Sequence, residues 1–170
     1  MRKFLSVLAV SLISSVQPAL AGALTPVTLE PITHSVATLT VVGSDGTERT
    51  YSPADLEGFP TYSLTTTTPW REEPATFEGA LLSDILRANG LNDVTAVTVT
   101  AENDYSTRVE RATWEGIEIL VATRVNGRAH SRRARGPIQF VIDMETFVGS
   151  DGLATESTLV WMASRIESES

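Results

Sequence analysis

The sequence predicts an α+β domain, a mixed β-sheet with one main helix and several short ones, and three observations carry that prediction. Short β-rich runs recur with turn residues between them. ATLTVV and ERTY flank Gly43-Ser44-Asp45-Gly46, and IEILVATRV ends at Asn126-Gly127, a pair suited to the left-handed backbone of a tight hairpin. The period changes clearly once: from Gly79 onward Leu81, Leu82, Ile85 and Leu86 share a face opposite Ser83, Asp84 and Arg87, and Asn89-Gly90 supplies the stop, so a helix is expected from about 79 to 90. Finally, no low-complexity tract, internal domain repeat or linker interrupts the chain, and 170 residues suit one domain with its own core.

Taken in order, the chain opens with Arg2 and Lys3 before the apolar run FLSVLAVSLISSV, which ends near Pro18 and Ala19-Leu20-Ala21. That is the pattern of a secretory signal peptide over residues 1–21. The run is shorter than the roughly twenty residues needed to span a bilayer, so cleavage near Ala21 and no membrane insertion afterwards are expected. Residues 22–36, with Pro26 and Pro31, read as an extended N-terminal arm, and residues 37–170 as the domain. Residues 37–51 form the first hairpin. Ser52-Pro53 then reads as an N-cap with proline at the first helical position, and Gly58 ends that helix early.

TYSLTTTT, residues 61–68, has strand composition and feeds a loop, Pro69-Trp70-Arg71-Glu72-Glu73. After the helix come VTAVTVTA, a turn through Glu102-Asn103-Asp104, and YSTRVER; residues 117–125, apolar enough for burial on both faces, 137–142 and 159–166 complete the strands. Trp114 falls at a short connection, and Trp161 alternates with Leu159 and Ala163, which assigns both to packing.

Composition excludes several chemistries. There is no cysteine, so disulfides, iron–sulfur clusters, thiolate metal sites and cysteine nucleophiles are ruled out. Two histidines, His34 and His130, and no G-x-S-x-G or H-E-x-x-H pattern leave little material for the familiar hydrolytic routes. The formal net charge is −8 and becomes about −10 once Arg2 and Lys3 are removed, which disfavours nucleic acid and anionic membranes as partners. Against that background HSRRARGP, 130–137, gathers Arg132, Arg133 and Arg135. It reads either as an anion-binding patch or as a solvated hairpin flank.

Phe77, Gly79, Leu82, Ile85, Leu86 and Gly90, followed by Asn103-Asp104-Tyr105, Asn126-Gly127, Gly136-Pro137 and Trp161, make a succession that resembles the molybdopterin-binding fold of sulfite oxidase. The likeness covers about residues 61–166 and rests on several weak motifs in the right order. It implies the sulfite-oxidase-like α+β domain fold. In the molybdenum enzymes of that fold a cysteine thiolate before the F-x-G motif binds the metal; here that segment reads Thr65-Thr66-Thr67-Thr68, and a hydroxyl does not replace a soft charged sulfur ligand.

The chain is similar in length, and in its T-x-x-P-W, F-x-G and N-D-Y features, to a cysteine-free exported subset of that fold. The subset includes periplasmic pterin-binding regulators of membrane diguanylate cyclases and phosphodiesterases. The resemblance implies a periplasmic protein that keeps a reduced pterin as ligand, carries no molybdenum and has no catalytic or metal-binding residues. Its partner would be the periplasmic domain of a membrane-bound signalling protein, in cyclic-di-GMP turnover.

A pterin is a flat bicycle with an N–H donor edge, and it needs an aromatic platform and nearby acceptors. Trp70 supplies the platform, or else folds back as a lid on the core. Asn103 or Asp104 addresses the donor edge, Tyr105 adds a face, Thr68 a hydroxyl, and Phe77 is a core anchor or a contact. Arg132, Arg133 and Arg135 hold an anionic tail or an acidic partner surface. His130 is assigned a structural or exposed place. The alternatives that stay open are a molybdopterin-dependent oxidoreductase or its non-catalytic subunit, and an interaction scaffold with a vestigial pocket.

Overall fold

In the computed structural model, residues 23–169 are described, and the predicted signal segment falls outside them. The alternating runs pair into two sheets. The first is antiparallel throughout: β1 (Thr25–Val27), β4 (Thr61–Thr68), β5 (Arg71–Leu81), β8 (Leu120–Val125) and β10 (Gln139–Val141) lie side by side in that order, with β9 (Arg128–Ala129) paired to the end of β8. The second runs β3 (Glu48–Tyr51), β2 (Leu39–Val42), β11 (Ala163–Ser168), β6 (Ala96–Ala101), β7 (Ser106–Glu110), and its β2–β11 pair is parallel. The fold class is α+β, as the sequence predicts.

Four short helices fill the connections: α1 (Pro53–Leu56), α2 (Leu82–Ala88), α3 (Arg111–Gly116) and α4 (Met144–Val148). The predicted start of α1 is met in detail. Ser52 accepts from Asp55 N while the Asp55 carboxylate accepts from Ser52 N at 2.8 Å, a reciprocal cap that satisfies two otherwise orphaned donors.

The main core lies between the sheets. Leu39, Val41, Val97, Val99 and Ile166 from the second sheet meet Ala80, Val121 and Phe140 from the first, with Leu82, Ile85 and Leu86 of α2 closing one side. A smaller cluster of Leu64, Phe77, Leu120, Ala122 and Val141 covers the opposite face of the first sheet. Consequently five of the six positions of β8 are buried, which is why its sequence is a continuous apolar run and not an alternating one.

One expectation is corrected. The predicted helix from Gly79 begins only at Leu82, because Phe77 and Gly79 belong to β5, whose ladder to β4 and β8 continues to Ala80 and Leu81. Gly79 sits where the β5–β8 ladder shifts register: a Cβ there would stand 2.0 Å from the Val121 carbonyl oxygen. The glycine of the F-x-G motif therefore serves a close backbone approach at a bulge between two paired strands. Trp114, read as part of a connection, lies on α3 and is buried.

The N-terminal arm is held at several places. β1 pairs with β4, and further on the arm meets a buried polar network. Glu57, at the end of α1, accepts from Arg124 Nε at 2.8 Å, Arg124 Nη2 at 2.5 Å and the Thr123 hydroxyl at 2.6 Å. Arg124 also donates to the Glu30 carbonyl at 2.7 Å. His34 Nε2 lies 3.0 Å from Glu57 Oε1, near enough for an ion pair although its N–H is not aligned for a hydrogen bond. Burial opposes ionisation of Glu57, but the bonds from Arg124 and Thr123 and the nearby His34 and Arg124 charges outweigh it and hold the carboxyl below its ordinary value.

Candidate functional site

A cleft of about 450 Å³ opens at the end of the first sheet where two hairpin tips and one loop converge. The β4–β5 hairpin turns through Pro69 and Trp70, with Thr68 paired to Arg71 across the tip. Trp70 is therefore a hairpin-tip residue, not part of an irregular loop, and it is 37% exposed. The β8–β9 hairpin turns through Asn126 and Gly127, whose φ angles of 52° and 72° place both in the left-handed region, as Asn-Gly favours. This turn is pinned to β5: Thr76 N donates to Asn126 Oδ1 at 2.9 Å, and Asn126 N donates back to the Thr76 carbonyl at 2.7 Å.

Beyond β9 the chain forms a compact loop. A 3-10 turn, Arg132–Ala134, follows His130 and Ser131, and Gly136 N donates to the Ser131 carbonyl at 2.9 Å. Gly136 has no room for a side chain, since its Cβ would stand 2.5 Å from His130 Cγ. The loop thus folds tightly over His130 and turns Arg132, Arg133 and Arg135 toward the cleft. Arg71 joins them from β5, and among the described residues no carboxylate lines the cavity. In a chain of net charge −8, four guanidinium groups around one concave surface, of which Arg132 is ion-paired to Glu102 behind it, make it a positive site.

The arginines are held unequally. Arg132 is ion-paired to Glu102 and donates to the Val36 carbonyl at 3.3 Å, tying the loop to the β6–β7 turn and to the N-terminal arm. Arg71 donates to the Glu73 carbonyl at 3.1 Å. Arg135 lies with its guanidinium 4.7 Å from the Trp70 ring centroid and 4.8 Å from that of Trp161, so two indoles share one cation. Its φ of 76° is unusual for a residue with a Cβ.

His130 is 2% exposed, and its Nε2 lies 2.7 Å from Gln139 Oε1. With the amide oxygen on that side, Nε2 carries the proton and Nδ1 is a bare acceptor, without a partner among the described residues. Burial, only partly offset by the Gln139 bond and reinforced by the Arg71 charge, pushes the imidazole below its ordinary pKa, so it is neutral at pH 7.

The structure divides the residues expected from sequence. Thr68, Trp70, Phe77, Arg132, Arg133 and Arg135 line the cleft together. Asn103 and Tyr105 line a second cavity of about 300 Å³ beside it, and Trp70 and Trp161 wall both. The Asn103–Tyr105 segment and the Trp70 tip do lie at the same end of the molecule. Asp104 lines neither cavity; with φ 64° it forms the turn between β6 and β7. Of the four threonines, Thr68 alone faces the cleft, whereas Thr66 bonds Asp143 at 3.2 Å and Met144 N at 2.9 Å, and Thr65 bonds Thr76.

Trp161 was assigned to packing by its alternation with Ala163. That alternation fails because Met162 has φ 55° and β11 starts only at Ala163, so a left-handed residue separates Trp161 from the strand's facing pattern. His130, Arg71 and Gln139 also line the cleft. Nothing in the sequence marks Gln139, and His130, which stands directly before the arginine cluster in the sequence, is expected only to be structural or exposed.

No family model and no curated protein matches this chain. Among solved structures, it is similar to the sulfane dehydrogenase SoxCD from Paracoccus pantotrophus, with TM-score 0.59 and 12% identity over 92% of this chain and 49% of that one. The chain thus spans about half the length of that neighbour. The likeness is one of fold, and it agrees with the sulfite-oxidase-like architecture expected from the sequence.

Proposed function

We propose that this chain is an exported pterin-binding protein whose ligand lies in the arginine-lined cleft. The observation that carries the reading is the cleft itself: indole rings of Trp70 and Trp161 and four arginines, without a carboxylate, on a protein of net charge −8. Such a surface selects a flat ring joined to an anionic group. The ring stacks on Trp70, its N–H edge is met by an acceptor such as the Thr68 hydroxyl, and Arg132 and Arg133 hold the anionic tail. A volume of about 450 Å³ suits a ligand of that size.

The fit extends to the organic part of a molybdopterin cofactor and stops before the metal. The groups on the cleft wall are a hydroxyl, an imidazole, an amide and guanidiniums, and the chain has no cysteine, so no thiolate is available to a soft metal. We therefore read the protein as a binding protein and not an oxidoreductase. Its use would be as a ligand-loaded regulator of the periplasmic part of a membrane diguanylate cyclase or phosphodiesterase. Linkage supplies the mechanism: a ligand that orders the Trp70 tip and the 130–137 loop favours one surface, and a partner that binds that surface responds.

The test is to purify the protein from its native host, denature it, and record absorbance and fluorescence of the supernatant beside elemental analysis. A pterin spectrum without molybdenum is expected. Stoichiometric molybdenum would overturn the reading in favour of an enzyme, and an empty protein whose tryptophan fluorescence ignores added reduced pterins would leave a scaffold.

A further inference from the structure

The second cavity differs from the first in charge and in lining. Trp70, Tyr105 and Trp161 give it three aromatic walls, and Glu156 is its only acidic residue, with no basic residue among those that line it. Trp70 is 37% and Tyr105 45% exposed, so both rings are open to an incoming group. Glu156 stands on a 3-10 turn, Glu156–Thr158, and has no ion-pair partner among the described residues. Aromatic faces carry negative charge, and three of them around a carboxylate form a site for a cation.

The molecule already shows that two of these rings accept a guanidinium. Arg135 rests 4.7 Å and 4.8 Å from their centroids, and Trp70 and Trp161 wall the second cavity as well as the first. We propose that the second cavity is an aromatic cage for the guanidinium of an arginine side chain presented by a partner protein. The chain's own charge of −8 favours approach of a basic segment. Arg135 is thus the internal precedent for the external residue the cage receives, and Glu156 supplies the charge that the cage otherwise lacks. This site shares Trp70 and Trp161 with the pterin cleft but does not rest on the pterin reading, and it is tested on ligand-free protein.

The probes are acetyl-Gly-Arg-Gly-amide and its citrulline counterpart, which keeps shape and hydrogen bonding but loses the charge. Binding is followed by the assigned indole N–H signals of Trp70, Trp114 and Trp161 in NMR titrations at low salt. The arginine peptide should shift Trp70 and Trp161 saturably, leave Trp114 in place, and bind about tenfold more tightly than the citrulline peptide. Glu156→Gln should weaken it about two- to fivefold, and Tyr105→Ala by a similar factor. Equal binding of the two peptides would overturn the cage in favour of a merely apolar cavity. So would the absence of any saturable shift up to tens of millimolar, or a shift untouched by both Glu156→Gln and Tyr105→Ala. Unchanged thermal unfolding of the two variants keeps either outcome from being a folding effect.

Discussion

Glu57→Gln removes a charge from the most enclosed ion pair among the described residues. The Glu57 and Arg124 side chains are only 9% and 5% exposed, and three hydrogen bonds from Arg124 and Thr123 end on the Glu57 carboxylate. The glutamine keeps the shape and one acceptor oxygen, but Arg124 is left as a buried cation facing an amide. Breaking one side of a buried pair typically costs about 3–5 kcal/mol. For a domain of this size, that lowers the melting temperature by roughly 6–20 °C. Arg124→Met should cost a similar amount, because it strands the carboxylate.

The pair of substitutions together should then cost at least about 1 kcal/mol less than the two singles summed, since neither charge remains buried alone. Denaturant unfolding of the four proteins, followed by circular dichroism, measures every term. A single-variant cost under about 1 kcal/mol, or strict additivity, would refute the assignment of this network as the clamp between α1, β8 and the arm.

Three more expectations follow from particular contacts. Gly79→Ala should destabilise by about 1–3 kcal/mol or more, because its Cβ would meet the Val121 carbonyl at 2.0 Å; a neutral result in the same unfolding assay would mean that β5 and β8 do not approach so closely at the bulge. Protonation of His130 is disfavoured by burial, so its folded pKa lies below the unfolded one: the stability it contributes is full above about pH 6.5 and is lost as pH falls through the folded value. Melting temperature should therefore fall on acidification below about pH 6.5, and His130→Gln should flatten that part of the profile. Trp70→Ala should weaken pterin binding by about 1–3 kcal/mol, on the scale of base stacking, with Trp114→Phe as the control that titration must leave unchanged.

Local chemistry made much of this fold legible. The Gly43–Gly46 turn, the Ser52 cap and the Asn126-Gly127 hairpin each require particular residues, and each is found where those residues stand. Features set by tertiary pairing were less visible. Phe77 and Gly79 fit a helical period as well as a strand, and the ladders on both sides of β5 decide between them. The facing of Trp161 depends on a left-handed Met162, which no pattern of residue types announces. The parallel β2–β11 pair joins segments more than a hundred residues apart, and a single sequence carries no signal for it. In the site, the arginine cluster stands out by charge and Trp70 as a tryptophan in a polar loop, whereas the partition into two cavities follows from where the β6–β7 turn comes to rest.

The central claim is that the arginine-lined cleft holds a pterin through ring stacking and an anionic tail, and titration of the purified protein with two reduced pterins tests it most directly. Tetrahydrofolate carries a carboxylate tail and tetrahydrobiopterin carries none. Calorimetry should show the tailed compound binding about tenfold or more tightly at low salt, with the advantage lost in Arg132→Ala/Arg133→Ala while the tailless compound binds as before. Equal affinity for the two compounds, or an advantage that survives removal of both arginines, would contradict the account.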